Sequence, residues 1–204
     1  ALAVGARLAG KPVGIHGLVG ILSFYATKLI TSGGQGGMLV SRDRGIVDGV
    51  RDYREFDCRR DRKPRFNFQM TDLQAAIGRE QLRKLPTFVA RREDIFARYR
   101  NLGLDLLDGR GGTSSVRYRT VVRSSDPRGI IDKLDRHEIK AIVPVEDWEL
   151  LGPAHQFPNA AALARSTVSL PTYPSLDDDE LSRIIDVLLD DKSRQKNTTG
   201  AQAR

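Results

Sequence analysis

Apolar and polar positions follow two different patterns along this chain. Residues 1–41 carry short apolar runs between glycine turns, a pattern typical of strands and hairpins. From residue 71 the apolar positions recur at helical spacing, and Pro86 interrupts them, which predicts one helix before the proline and a second helix after it. Residues 102–191 mix strand-like and helix-like segments, which predicts a small α/β unit.

Local signals place individual helices and strands. Thr71 followed by Gln74 is a capping box, and Asp126 followed by Pro127 is a helix N-cap with proline in the first turn. The acidic run at 177–180 could hold a cation, but it fits better at the N-terminus of the last amphipathic helix, where carboxylates meet the positive end of the helix dipole. Strands are predicted at 115–122, 139–145 and 167–170.

The stretch 19–41 carries the strongest chemical signal. An apolar run leads to Lys28, a glycine-rich turn occupies 32–37, and a second apolar run follows, which predicts a strand, a lysine-bearing loop, a turn and a returning strand. An unprotonated lysine in such a loop can attack a carbonyl carbon. A solvated lysine in an ordinary hairpin is the simpler interpretation of these residues alone. The glycines follow the lysine, which is the reverse of a P-loop and excludes that motif.

The chain resembles the DegT/DnrJ/EryC1/StrS family in three separate blocks. The first is Ser-Phe-Tyr-Ala-Thr-Lys at 23–28 with the glycines after it, and the second is Arg-Phe-Asn-Phe-Gln-Met-Thr-Asp-Leu-Gln-Ala-Ala at 65–76. The third is Phe-Pro at 157–158 with Ser-Leu-Pro-Thr-Tyr-Pro-Ser-Leu at 169–176. Members of this family are pyridoxal phosphate (PLP) aminotransferases that act on nucleotide-linked keto sugars.

The resemblance implies an α/β fold, namely the C-terminal part of a fold-type I PLP aminotransferase. Residues 1–67 would be the incomplete end of the large PLP-binding domain, 68–101 the bridging helices, 102–191 the small C-terminal α/β domain, and 192–204 a disordered tail. The family's pyridine-nitrogen aspartate, ring-stacking aromatic residue and main phosphate-binding turn should lie upstream of residue 1. We therefore expect an N-terminally truncated chain that is inactive alone.

The resemblance also implies roles for four residues. Lys28 would hold PLP as a Schiff base and then move a proton. Ser23 would bond the PLP phosphate, although a strand serine can also simply pair with its neighbour. Asn67 would reach the phosphate of the neighbouring subunit's cofactor, which implies a homodimer with a shared active site; alternatively it is a turn residue. Tyr173 is a candidate substrate contact. The implied amino donor is glutamate, and the acceptor is a nucleotide-linked keto sugar.

Composition narrows the range of possible functions. The chain is 40% hydrophobic, which is enough for a packed core. Its one cysteine, Cys58, excludes an internal disulfide, and this favours a reducing, cytoplasmic location. No apolar run reaches the roughly 18 residues that a membrane span needs, and the three histidines show no metal-ligand spacing. The net charge is +7, but the 33 basic residues are scattered among 26 acidic ones, which fits small phosphate-bearing molecules better than nucleic acid.

A second class of function is open on sequence grounds. The chain could be a catalytically inactive truncated product that serves as a small α/β interaction module. Residues 92–190 hold enough apolar positions to bury a core alone, whereas residues 1–41 would be left with unpaired strand edges.

Overall fold

Two compact units make up the chain. The computed structural model describes residues 1–109 and 111–200, with residues 191–200 as backbone only. Unit 1 comprises Ala1–Val89 and Gly109–Val116, and unit 2 comprises Ala90–Asp108 and Arg117–Arg204. This boundary falls inside a long helix. The sequence-based division gave the bridging helices a segment of their own at 68–101, and that division stays a prediction.

Unit 1 begins with a small antiparallel sheet. Strand β1 (Arg7–Leu8) lies between β2 (Lys11–Pro12) and β5 (Thr113–Ser114). Gly5, at φ +95°, turns the chain into β1 beside the side chains of Leu85 and Val116, and a Cβ there would be strained because of that backbone angle.

A hairpin and a short helix follow in unit 1. Strands β3 (Val19–Ser23) and β4 (Gly37–Ser41) pair antiparallel along their whole length. Helix α1 (Arg44–Arg54) begins after Asp43, whose carboxylate accepts the N–H of Ile46 at 3.2 Å and so caps the helix.

Helix α2 (Asp72–Arg100) is one continuous helix, so the predicted break at Pro86 is wrong. The capping box that begins it is confirmed, because Gln74 N–H donates to Thr71 Oγ1 at 3.3 Å and Thr71 N–H donates to Gln74 Oε1 at 3.1 Å. Leu85, just before the proline, is buried, and burial of three further residues holds the helix after it: Ile95, Phe96 and Tyr99. We attribute the continuity to this packing, which opposes the roughly 3 kcal/mol cost of an interior proline.

In its described residues, unit 2 combines a two-stranded antiparallel sheet with the end of α2, three further α-helices and a short 3-10 helix at Asp147–Glu149. Its elements are β6 (Thr120–Arg123), α3 (Pro127–Asp135), α4 (Pro158–Ser166), β7 (Thr167–Leu170) and α5 (Asp178–Gly200). Strands β6 and β7 pair in register, with Thr120 opposite Leu170. One hydrophobic cluster lies entirely in this unit and includes side chains from both strands, from helices α2, α3 and α5, and from the segment after α3.

Two predicted helix starts in unit 2 are confirmed. Asp126 accepts the N–H of Gly129 at 2.9 Å and caps α3. Asp177 and Glu180 form a reciprocal pair before α5, with Glu180 N–H donating to Asp177 Oδ1 at 2.7 Å and Asp177 N–H donating to Glu180 Oε2 at 3.2 Å. The acidic run therefore sits at a helix N-terminus, as expected from the helix dipole.

Two predicted strands differ from the structure. In the stretch 115–122, Arg117 has φ +47°, so regular pairing is confined to the short strands before and after it. The stretch 139–145 alternates between buried and exposed residues, but only Ile142 pairs, with Ser169 of β7. Pro144 has no N–H to donate to a neighbouring strand, and this shortens the segment that could pair.

Helix α5 extends to Gly200. The sequence-based expectation of a disordered tail at 192–204 stays a prediction. Residues 201–204 lie outside the described residues. None of the described helices combines the length and apolar character needed to cross a membrane.

Candidate functional site

Lys28 lies in the loop between β3 and β4, and backbone hydrogen bonds fix that loop. The N–H groups of Phe24 and Ala26 donate across the hairpin to carbonyls of the glycine turn at 2.8 and 2.9 Å, so the strand pairing extends beyond the ends of the strands. Lys28 N–H donates to Tyr25 O at 2.9 Å and closes a tight turn. Lys28 itself is partly buried. Its amine is therefore carried by an ordered backbone.

Ser32 organises the other side of this loop. It is fully buried, its N–H donates to Phe24 O at 3.0 Å, and its hydroxyl donates to Gln35 O at 2.8 Å. A Cβ at Gly36 would lie 2.1 Å from Ser32 Oγ, so this position is restricted to glycine by space. The positive φ angles of the turn fall instead on Gly33 and Gly34, at +84° and +131°.

Ser23 is the last residue of β3 and lies opposite Gly37. Its hydroxyl oxygen accepts the N–H of Tyr25 at 3.4 Å, and within the described residues the hydroxyl donates to no protein acceptor. The hydroxyl proton is therefore available to a ligand oxygen. Ser23 and Lys28 thus belong to one hairpin, with the hydroxyl at the strand end and the amine in the loop beyond it.

Asn67 is exposed in the irregular segment between α1 and α2. Its side-chain amide has no hydrogen-bond partner in the part of the chain that the structure describes. Arg65, whose side chain is only 5% exposed, anchors this segment through Asp52 at 2.8 Å and Asp61 at 2.6 Å. The hydrogen bonds from Arg65 hold the pKa of the Asp61 carboxyl well below its usual range. The Asn67 side-chain amide is therefore available to a ligand, on a backbone segment that Arg65 holds in place.

Tyr173 belongs to unit 2 and follows β7. It lines a cavity of about 260 Å³ together with Lys140 and Arg183. Partial burial raises the pKa of its hydroxyl, and the nearby carboxylates of Glu180 and Asp177 raise it further. The hydroxyl therefore stays protonated at neutral pH and can donate a hydrogen bond to a ligand.

Arg92 of α2 holds the backbone just before Tyr173. The side chain is buried, with the residue 8% exposed, and it donates to Thr172 O at 2.6 Å and to the carbonyls of Arg117 and Tyr118 at 3.1 Å each. Sequence reasoning missed both Arg92 and Ser32. An arginine on a helix gives no signal of its burial, but the serine immediately before two glycines is a signal that could have been used.

The donor set suits a cofactor that has both an aldehyde and a phosphate. Unit 1 offers an amine on a fixed loop, a hydroxyl whose proton is not used by the described residues, and the amide of Asn67. An amine can bind an aldehyde carbon, while hydroxyl and amide groups donate to phosphate oxygens. Tyr173 lies in the other unit and is not part of this set.

Comparison with known proteins identifies the fold and the family. The fold is part of a fold-type I aminotransferase: a crystal structure of DesV from S. venezuelae matches with a TM-score of 0.82 and 28% identity over 92% of this chain. The model of the DegT/DnrJ/EryC1/StrS aminotransferase family matches residues 1–189, and the chain belongs to that family. The expected family and fold class are thereby confirmed, and the cofactor of the family is PLP.

Two curated relatives illustrate the kinds of activity in this family. The dTDP-3-amino-3,4,6-trideoxy-alpha-D-glucose transaminase of Micromonospora megalomicea is 31% identical over 92% of this chain and 56% of its own length. GDP-perosamine synthase of Vibrio cholerae is 28% identical over 89% of this chain and 55% of its own length. The chain thus spans about half the length of these relatives.

Proposed function

We propose that this chain carries the lysine-bearing part of a PLP-dependent aminotransferase site that acts on nucleotide-linked keto sugars. The proposal rests on the β3–β4 hairpin. Lys28 lies in its loop, which backbone hydrogen bonds fix, and the Ser23 hydroxyl proton at the strand end is not used by the described residues. Relatives named for dTDP-linked and GDP-linked sugar products support the substrate class. Glutamate is the proposed amino donor.

Lys28 is the proposed catalytic residue. PLP, when bound, supplies an electron sink for charge that develops next to nitrogen. The Lys28 amine would bind the cofactor's aldehyde carbon with release of water. Once the amino donor displaces it, the free amine would carry a proton between the substrate carbon and the cofactor carbon. Arginine could do neither, because its guanidinium stays protonated.

Ser23 and Asn67 are proposed to bind the cofactor phosphate. Each has a side-chain donor that the described residues leave unused. By family resemblance, Asn67 would serve the cofactor of the neighbouring subunit, so the active enzyme would be a homodimer with shared sites. Its exposure on an anchored segment is compatible with that role. Tyr173 would donate a hydrogen bond to the substrate, and the protein would work in the cytoplasm.

A non-catalytic role is the second candidate. The hydrophobic cluster lies wholly within unit 2, so this unit can bury a core by itself and could act as a small α/β interaction module. A chain that serves only this purpose would not need a particular lysine in the β3–β4 loop. PLP binding therefore separates the two candidates.

The test is a titration of the purified chain with PLP, followed by the absorbance of the imine that an amine forms with the aldehyde. We expect saturable binding by the parent chain, loss of the signal in Lys28→Ala, and parental behaviour in Lys84→Ala, a control in the exposed part of α2. Ser23→Ala should weaken PLP binding about tenfold, because one hydrogen bond to a charged phosphate is lost. Equal signals from Lys28→Ala and the parent would contradict the proposal.

A further inference from the structure

Three aromatic side chains of unit 1 form a cluster at the surface, next to Asn67. The rings of Tyr53, Phe66 and Phe68 contact one another, with centroids 5.2 Å, 5.4 Å and 6.2 Å apart. These three residues, called the aromatic cluster below, are each 45–66% exposed. Aromatic rings stabilise a fold through the area that they bury, so the packing of unit 1 does not account for three adjoining exposed rings.

Backbone and ion-pair contacts hold the aromatic cluster in place. Phe66 N–H donates to Tyr53 O at 3.0 Å, and Phe68 N–H donates to Phe66 O at 2.9 Å. Arg65, immediately before Phe66, donates to the carboxylate of Asp52, immediately before Tyr53, at 2.8 Å. The rings of Phe66 and Phe68 are nearly parallel, at 11°. A planar ligand could therefore lie on this pre-formed surface with little loss of side-chain entropy.

Unpaired positive charge lies on the loop that Arg65 joins to the aromatic cluster. The Arg65 guanidinium, which bonds Asp52, also donates to Asp61 of this loop at 2.6 Å. Arg60 and Arg62 flank Asp61, and both are exposed. In the part of the chain that the structure describes, neither side chain has an ion-pair or hydrogen-bond partner. Each guanidinium is therefore available to a phosphate, whose oxygens it can bond in pairs.

We propose that the aromatic cluster, together with Arg60 and Arg62, binds the nucleoside diphosphate part of the substrate. The base would stack on the exposed face of Phe68, and the diphosphate would pair with the two guanidiniums. The proposed function, on which this assignment rests, requires a nucleotide-linked substrate and leaves its nucleotide without a binding residue.

The same surface would accept more than one base. Every base has an aromatic face, so stacking discriminates little between thymine and guanine. This agrees with relatives named for dTDP-linked and GDP-linked sugars. Selection of the base would then need hydrogen bonds to its edge, which the aromatic cluster does not offer.

A single nucleotide fits this surface better than a strand of nucleic acid. The three rings form one cluster in mutual contact, whereas a strand needs successive rings on which successive bases stack. Asp57 and Asp61 also alternate with the arginines of the loop. These carboxylates would repel a long phosphate backbone but leave room for one diphosphate between Arg60 and Arg62.

The test measures the binding of dTDP to the purified 204-residue chain by calorimetry, without PLP. We expect saturable binding that Phe68→Ala weakens at least about fivefold through loss of stacking, and that Phe68→Trp preserves. Arg62→Ala should weaken binding about tenfold and reduce its dependence on salt. Trp148→Ala removes a ring of unit 2 that is 74% exposed, so it is the matched control and should leave the affinity within about twofold.

Two further probes separate stacking from charge pairing. GDP should bind within about tenfold of dTDP and respond to the same variants. Inorganic pyrophosphate has no base, so Arg62→Ala should weaken its competition with dTDP while Phe68→Ala should not. Thermal unfolding of each variant checks its folding, and Arg62→Ala changes an exposed residue without partners among the described residues.

Four results would overturn the assignment. They are the absence of saturable dTDP binding, equal losses in Phe68→Ala and Trp148→Ala, tighter binding of a single-stranded RNA oligonucleotide than of dTDP, and self-association of the free chain that Phe68→Ala abolishes. The last two would make nucleic acid or a second copy the occupant. Loss of dTDP binding with PLP labelling of Lys28 intact would refute this assignment alone, and the reverse result would refute only the proposed lysine chemistry.

Discussion

At the scale of single residues, the loop that carries Lys28 depends on one buried hydroxyl and on the lack of a side chain at Gly36. Ser32 joins the two arms of the loop by bonding Phe24 O and Gln35 O. A methyl group at Gly36 would overlap Ser32 Oγ and would also lie 3.0 Å from Met70 Cε. The position of the amine therefore rests on local packing that is independent of any cofactor.

Gly36→Ala should destabilise this loop, while alanine at another glycine should not. We expect Gly36→Ala to lower the free energy of unfolding by about 1–3 kcal/mol through overpacking. Gly49 lies inside α1, and apart from its chain neighbours and the backbone of its own helix no atom lies within 4 Å of the position that a methyl group would take there, so Gly49→Ala should raise stability by about 0.5–1 kcal/mol. Urea denaturation of both variants provides the comparison. Equal stabilities would contradict the packing argument.

Tyr99 should make stability depend on pH in the alkaline range. It is fully buried, its hydroxyl donates to Pro171 O at 3.1 Å, and burial, with a smaller contribution from Tyr173, raises its pKa above the usual value of 10.0. A tyrosine whose pKa is raised in the folded state contributes to stability, and this contribution is complete at pH values below its pKa in the unfolded chain. That contribution is then lost as the pH rises from about 10 toward the folded pKa.

The variant Tyr99→Phe isolates this effect. At pH 7 it should be less stable by about 1 kcal/mol, because the hydrogen bond to Pro171 O is lost. Above about pH 10 its stability should fall less steeply than that of the parent. Denaturation curves at several pH values measure both slopes. Parallel slopes for the two proteins would refute the assignment to Tyr99.

At the scale of elements, the main departure from the sequence pattern is the long helix α2. The pattern placed the capping box correctly because Thr71 and Gln74 are close neighbours and act locally. It failed at Pro86, since the continuation of the helix depends on burial of residues well beyond the proline. The strand prediction for 139–145 was wrong for a related reason. The alternation of buried and exposed residues is present, but a strand also needs a pairing partner along its length, and only Ile142 has one.

Pro86→Ala should stabilise α2. Pro86 is exposed and cannot donate a hydrogen bond to the carbonyl of Leu82, so alanine should raise the free energy of unfolding by about 1–3 kcal/mol. Thr87→Ala, at the next exposed position, is the control. It should change the free energy of unfolding by only a few tenths of the change expected for Pro86→Ala. A less stable Pro86→Ala variant would mean that the packing of Leu85 requires the backbone geometry that proline imposes.

At the scale of the whole molecule, the two units differ in how well they bury apolar side chains. Unit 2 holds the hydrophobic cluster, and unit 1 exposes most of its larger apolar residues. The sequence motifs predicted the family and fold class, which the comparisons confirm. The motifs could not reveal how poorly unit 1 covers its own hairpin, because an apolar run in a sequence does not specify what packs on it. The roles of Ser23, Lys28, Asn67 and Tyr173 stay predictions.

Hydrogen exchange should reveal this difference between the units. The amides of β6 and β7 should exchange slowly, because these strands contribute Val122, Val168 and Leu170 to the hydrophobic cluster. The amides of β3 and β4 should exchange faster, because the hairpin exposes Val19, Ile21 and Met38. Equal protection of the β3–β4 and β6–β7 strand pairs in the free chain would contradict the difference in burial.

In the proposed site, the β3–β4 loop presents Lys28 to PLP, and covalent labelling examines this directly. The purified chain is incubated with PLP and reduced with borohydride, and the modified residue is mapped by mass spectrometry. We expect the pyridoxyl group on Lys28 and no modification of the exposed residues Lys84 and Lys140. Labelling spread over many lysines, or none at Lys28, would show that the loop does not present its amine to the cofactor.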